Sequence, residues 1–292
     1  MALDRLPRLD NDGLALPKVG QWAETKYGLI ATYSQMFATA MKARWKTRVF
    51  VDLFAAAGRA QVKGTSRIIP TSSMLALQVK HPFDRYVLCE IEPNLLSALE
   101  TRARRDAPGR EVRCVLGDCN ANVGQILNEI PVGTRDHRVL SFCVADPSNL
   151  ASLKFTTISA LAQRYVDFLV LIPSAMEARR FLPLYFDPGN TIVRDFLGDP
   201  DWRESWAEVE AGRGPHDFGA FVVDRFGRAM EQLRYLYPGP NDTVPVKAKH
   251  LLLYHLLLYH LAFFSRHPRG TDFWRKAKQH SIDQLALPLN GA

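Results

Sequence analysis

The chain has 292 residues, 47% of them apolar and 23% charged, a composition that can fill a hydrophobic core and excludes a fibrous or disordered polymer. Its four cysteines (Cys89, Cys114, Cys119 and Cys143) have no C-x-x-C spacing and read as small buried hydrophobes in preference to a metal or redox site. A net charge of +7 favours an anionic partner, nucleic acid above all.

No stretch has the apolar h-region of a signal peptide. The longest apolar run, Leu251 to Phe264, carries Tyr254, His255, Tyr259 and His260 and is short for a bilayer. A cytoplasmic protein with no membrane segment is expected.

Residues 1–17 are polar, with Pro7, Asp10-Asn11-Asp12-Gly13 and Pro17, and read as a flexible leader. From Val19 to about Trp45 the apolar residues Trp22, Leu29, Tyr33, Met36 and Phe37 recur mainly at three- and four-residue steps, which predicts a helix. Lys26 on that helix is either a solvated lysine or an ammonium that reaches a ligand carboxylate.

The chain is organised around Arg48-Val49-Phe50-Val51-Asp52-Leu53-Phe54-Ala55-Ala56-Ala57-Gly58. An apolar run reaches an acid and breaks into a turn of small residues, as the first strand of a doubly wound α/β fold does beside a nucleotide-like ligand. Gln61 to Pro70 reads as a polar loop and Thr71 to Lys80 as a helix. The second strand, Arg85 to Glu90, ends in an acid able to accept both hydroxyls of a ribose; the other reading, for Glu90 as for Glu92, is a solvated charge. A helix follows from Leu95 to Arg105.

The third strand, Glu111 to Leu116, closes on Gly117-Asp118-Cys119-Asn120, where Asp118 can take an exocyclic amine or cap the next helix. The fourth, Arg138 to Ala145, ends in Asp146-Pro147-Ser148-Asn149, and the fifth runs from Val166 to Pro173. Four strands in turn thus end in Asp52, Glu90, Asp118 and Asp146, on the edge where open α/β sheets bind ligands.

After residue 180 the sequence reads as a helical insertion over 181–245, followed by a return to the core and a basic helix over 246–292. The expected organisation is one domain over 18–292, with residues 18–180 as its cofactor-binding core. His250, His255 and His260 lie five apart, which turns successive side chains about 140° on a helix and argues against a shared metal. Phe273 and Trp274, among Arg266, Arg269, Arg275, Lys276 and Lys278, form either a solvated helix with aromatic anchors or a surface that faces nucleic acid.

The ordered acids resemble those of class I S-adenosylmethionine (SAM)-dependent methyltransferases. More narrowly, the chain resembles the three-Cys-motif partner (TcmP) family. The resemblance rests on Trp22-Ala23-Glu24-Thr25-Lys26, on Asp52-Leu53-Phe54-Ala55 to Gly58, on Phe83-Asp84-Arg85-Tyr86 through Glu90, on Gly117-Asp118-Cys119-Asn120, and on Ser265-Arg266-His267-Pro268-Arg269-Gly270. It implies a Rossmann-like, mostly parallel sheet and SAM as cofactor. It also implies a cofactor site built from Lys26, Asp52, Phe54, Ala55, Ala56, Gly58, Glu90, Ile91, Asp118 and Cys119, with Asp146 and Pro147 at the reacting group.

Two departures bear on activity. Ala56 and Ala57 stand where the family has Gly-Pro, and alanine takes a positive φ at a cost. Ser148 stands where an aromatic would stack on a base. The expected function is methylation of a base amine in RNA or DNA. The alternative is a weak or inactive methyltransferase-like protein that binds a protein bearing three cysteines. An NAD enzyme fits less well, because Phe54-x-Ala56 supplies no G-x-G-x-x-G fingerprint.

Overall fold

A computed structural model of the protein describes residues 6–173, 176–212, 217–237, 239, 242–249 and 255–286, with backbone only at 176–180, 247–249, 255–258 and 280–286. In chain order the first half comprises β1 (Lys18–Val19), α1 (Ala23–Met41), β2 (Thr47–Asp52), β3 (Arg59–Val62), β4 (Ile68–Pro70), α2 (Ser72–Leu77), β5 (Arg85–Glu90), α3 (Pro93–Asp106) and β6 (Val112–Leu116). Then come α4 (Val123–Glu129), β7 (Val139–Ala145), a 3-10 turn at Leu150–Ser152, α5 (Phe155–Leu161) and β8 (Val166–Ile172). Helices α6 (Met176–Phe186), α7 (Ile192–Leu197), α8 (Trp202–Gly212) and α9 (Phe218–Gln232) precede β9 (Val244–Lys249), β10 (His255–Phe264) and α10 (Pro268–Ala286).

Seven strands form one sheet in the order β6-β5-β2-β7-β8-β10-β9. The first five are parallel, while β10 runs antiparallel to both β8 and β9. The fold class expected from the sequence, a mostly parallel and doubly wound Rossmann-like sheet, is therefore the one observed. β7 and β8 are buried along their whole length, which is why their sequences are nearly continuous apolar runs without alternation. One face carries Tyr33, Phe37, Phe142, Phe263 and Trp274; the other carries Phe168, Phe196, Trp202, Phe218 and Phe226.

Register sets the working edge. Asp52 pairs with Leu88 and Val144, and Glu90 with Leu116, so β2, β5, β6 and β7 finish side by side. Because β10 is reversed, His260 lies beside Ile172 and Phe264 beside Phe168. Its start shares the edge where the parallel strands end.

Several expectations need correction. Gln61 to Pro70 is no loop. β3 and β4 form a hairpin that β1 joins in parallel, giving a second, three-stranded sheet. On β3 the polar residues alternate with buried Ala60 and Val62, and β4 is buried along its whole length. Residues 6–17 are pinned as well: Leu6 is buried, Leu9 bridges to Ile68, and Asp12 pairs with Arg102 at 2.6 Å. Trp274 cannot serve as a base-stacking ring, since it is buried against Phe263. Arg275 and Lys278 beside it are paired with Asp242.

His250, residues 1–5 and the Leu251–Tyr254 part of the Leu-Leu-Leu-Tyr-His repeat lie outside the described residues. The His255 side chain lies outside them too. No described helix is long and apolar enough to cross a membrane.

Arg102 is the polar centre of this packing. It is 0% exposed, and it donates to both oxygens of Asp12 and to the carbonyls of Ala15 and Ala57. These bonds hold the Asp12 carboxyl well below its usual range, although burial opposes the shift. Arg102→Met strips the donors from three acceptors at once and should lower the unfolding free energy by about 3–5 kcal/mol, read from the denaturant midpoint.

Candidate functional site

The β2 strand delivers Asp52 into the interior rather than into a cleft. Its carboxyl is 0% exposed and accepts hydrogen bonds from the hydroxyls of Ser72 (2.6 Å) and Ser73 (2.8 Å) and from the Phe54 N–H (3.2 Å). Burial pushes its pKa up to about 6, against the pull of those donors. This carboxyl fastens the start of α2 to the turn that follows β2.

The turn is then fixed residue by residue. The Ala55 N–H donates to the Cys89 carbonyl (2.9 Å), and the buried Ala57 presents its carbonyl to Arg102. Ala56 occupies the left-handed region, with φ at 51°. For a residue with a Cβ this costs about 1–2 kcal/mol. A bond of 2.7 Å from its N–H to Glu90 Oε2 offsets that cost. Alanine therefore does adopt the positive φ that its chemistry disfavours, because a charged acceptor waits there. Gly58, with φ at 80°, cannot be replaced so easily: a Cβ would lie 2.9 Å from Met74 and 3.0 Å from Leu99.

A cleft of about 570 Å3 opens at the ends of these strands, within the usual size of small-molecule sites. Of the residues singled out from the sequence, Lys26, Phe54, Ala56 and Glu90 line it, as do Ile91, Asp118, Cys119, Asp146 and Pro147. Asp52, Ala55 and Gly58 do not. They build the turn behind the wall.

Glu90 is buried, with Oε2 on the Ala56 N–H and Oε1 on the Glu92 N–H (3.0 Å). Four acceptor positions on a carboxylate leave two for a ligand. Asp118 is exposed and ties Asn120 by its backbone and side chain, both at 2.8 Å. Ile91 lines the same cleft, 60% exposed.

At the far end, Lys26 Nζ meets Asp146 Oδ2 at 2.5 Å, with both side chains nearly buried. Burial alone would depress the ammonium, but Asp146 outweighs it and lifts the Lys26 pKa. The pair joins α1 to the end of β7. Tyr27 lies beside it, with its ring centroid 4.6 Å from Nζ. Burial pushes the Tyr27 hydroxyl up to about 12 and the Cys119 thiol to about 12, so neither is ionised near neutrality.

The sequence did not single out Lys18, Tyr27, Lys63, Leu171 or Tyr259 as site residues, yet all five line the cleft. Leu171 and Tyr259 arrive through the reversed β10 and its partner β8, and Lys63 through the hairpin. Only the i to i+1 neighbourhood of Lys26 could have pointed to Tyr27.

No family model and no curated protein matches the chain. Among solved structures it is similar to a Legionella pneumophila protein of the DUF519 family, at 11% identity over 88% of this chain and 92% of that one, with a TM-score of 0.48. It is similar to an O-methyltransferase from Bacillus cereus in complex with SAH, at 10% identity over 80% of each chain and a TM-score of 0.41. A third is TYW2 from M. jannaschii in complex with AdoMet, at 11% identity over 85% of this chain and 77% of that one, with a TM-score of 0.38.

Ala56→Gly relieves the left-handed strain and should raise stability by about 0.5–1 kcal/mol without loss of fold, measured by denaturant titration. Asp52 gives a pH signature. Its folded pKa lies above the ordinary value near 4, so the folded state holds the proton more tightly. The destabilisation that this group contributes at neutral pH disappears as pH falls from about 6 to about 4. Relative to Asp52→Asn, the wild type should gain about 3 kcal/mol over that interval.

Proposed function

We propose that the chain is a SAM-dependent methyltransferase whose acceptor is a base amine of RNA or DNA, distantly related to the TcmP family. The observation that carries this reading is the convergence of Lys26, Glu90, Asp118 and Asp146 from four separate elements on one cleft at the carboxyl ends of the strands.

The residues present fit the cofactor. Glu90 keeps two acceptor positions for a ribose diol, Asp118 is an exposed acceptor for an adenine amine, and Ile91 offers an exposed apolar face in the same cleft. Lys26 donates to Asp146, with the Tyr27 hydroxyl also beside it, and keeps donor capacity for a carboxylate. Ala56 and Phe54 supply the wall nearest the strand turn.

When bound, SAM supplies a methyl group on a sulfonium. The chain's own part is positioning, which gives most of the acceleration in such a transfer. Asp146 accepts a hydrogen bond from the acceptor amine and aims its lone pair. Pro147 fixes the backbone behind that carboxylate. Lys26 keeps the charge of the nearly buried Asp146 balanced.

Two features support an acceptor on nucleic acid. Lys18 and Lys63 stand at the rim without an ion-pair partner among the described residues. Trp22, Phe54 and Tyr259 bring aromatic rings to the cleft, in place of the ring that Ser148 lacks. The lack of that ring after Pro147 favours one second reading, a non-catalytic partner of a three-cysteine protein.

Calorimetry with SAM, followed by transfer of labelled methyl into total RNA and DNA, tests both. Micromolar binding, transfer to nucleic acid and loss of transfer by at least 100-fold in Asp146→Ala are expected. Glu90→Gln should weaken SAM binding about 10-fold, the effect of one charged hydrogen-bond acceptor. Binding without transfer would favour the non-catalytic reading. No binding at millimolar SAM would sink the cofactor assignment itself.

A further inference from the structure

A second cavity, of about 590 Å3, lies at the opposite edge of the sheet, where β7 and β8 begin and β10 ends. Its floor is apolar, built from Tyr33, Phe37, Leu140 and Phe273. One carboxylate, Asp167, reaches this floor. It is nearly buried and accepts a hydrogen bond from the Ser265 hydroxyl. Burial pushes it up to about 7. Gly270 makes that approach possible, because a Cβ there would lie 2.3 Å from Ser265 Oγ and 3.5 Å from Asp167. The Ser265-Arg266-His267-Pro268-Arg269-Gly270 segment thus shapes this cavity, far from the cleft that the other resembling segments form.

The rim is cationic and aromatic. Arg44, Arg138, Arg234 and Arg269 all line it. Arg44, Arg234 and Arg269 have no ion-pair partner among the described residues. Arg266 differs, for its guanidinium is spent on the carbonyls of Ala162, Arg164 and Leu233. Arg138 sits over the Trp45 ring, 5.3 Å from its centroid, and Trp45 in turn lies 5.8 Å from the exposed ring of Tyr165.

A separate observation is backbone strain. α9 ends in a Schellman-type closure, with the Tyr235 N–H on the Met230 carbonyl and the Arg234 N–H on Glu231. The left-handed position of that closure, where glycine is usual, holds Arg234 with φ at 67°. A long cation is kept there at a conformational cost, and its side chain goes to the cavity rim.

We propose that this cavity is a nucleotide-binding site separate from the strand-end cleft. The apolar floor and the Trp45–Tyr165 pair take a flat ring. The unpaired guanidiniums take the phosphate, in the geometry for which arginine is suited. Asp167 accepts an N–H from the base edge. The ligand is either a free mononucleotide or one nucleotide of a single strand. The site does not depend on the cofactor assignment.

Calorimetry on the full chain distinguishes the possibilities, with guanosine 5′-monophosphate, guanosine, inorganic phosphate, a single-stranded RNA decamer and hexaglutamate as ligands. The mononucleotide should bind below millimolar and at least 10-fold tighter than guanosine or phosphate. Affinity should fall several-fold between 50 and 200 mM salt. An Arg44→Ala/Arg269→Ala variant, altered only at exposed positions, should bind at least 10-fold more weakly, and Lys276→Ala, an exposed cation outside both cavities, should bind as wild type does. Binding of the decamer alone, with the same arginine dependence, assigns the nucleotide to a polymer. Hexaglutamate binding as tightly as the nucleotide, failure of both nucleotide ligands, or indifference to the arginine substitutions would overturn the proposal.

Discussion

The Glu90 carboxylate, held between the N–H groups of Ala56 and Glu92, is the contact on which the strand-end edge depends. One oxygen pins the turn after β2 and the other pins the chain leaving β5. Two neighbouring strand ends are thereby locked at a fixed spacing. The same bond lets a residue with a Cβ sit at positive φ, since the peptide N–H is directed at a negative charge as long as the backbone stays there. Asp52 reinforces this from below through Ser72 and Ser73. The two acids therefore divide the work by depth: the deeper one organises backbone, and the shallower one organises backbone and still faces the cleft.

The parallel core was readable because four of its five strands are short runs that lead into an acid. Those signals are local, and the register of β2, β5, β6 and β7 sets the strand ends that carry them side by side, with Glu90, Asp118 and Asp146 at the cleft and Asp52 turned into the interior. What was not readable depends on long-range pairing. The β3–β4 hairpin carries Lys63, Gly64 and Arg67 at its tip, and that polarity hid the alternation on β3 and the buried run of β4. The basic stretch near the C-terminus looked like an open surface by composition, yet Asp242, some thirty residues away, neutralises Arg275 and Lys278, and Trp274 fills the core. Charge in a sequence counts residues, whereas exposure is decided by partners.

The antiparallel β10 links the two ends of the molecule. Tyr259 near its start lines the strand-end cleft, while Ser265 just past its end holds Asp167 in the second cavity. α1 does the same along one face, with Lys26 and Tyr27 at one end and Tyr33 and Phe37 further on. The cavities are separated by the length of a seven-residue strand, about 20 Å. Both draw on α1, on β8 and on β10 or the residues that follow it, so each is shaped by elements that also shape the other.

Arg102 has a consequence for the order in which the chain acquires its structure. Its contact with Asp12 closes a span of 90 residues, and the same side chain supports the Ala57 carbonyl. During synthesis, Asp12 leaves the ribosome long before α3 exists, so the acid and the turn wait for a cation that is made later. Loop-closure entropy over that span is recovered only when α3 docks. The turn after β2, though encoded early, is completed by the arrival of a later helix and the return of the first segment of the chain.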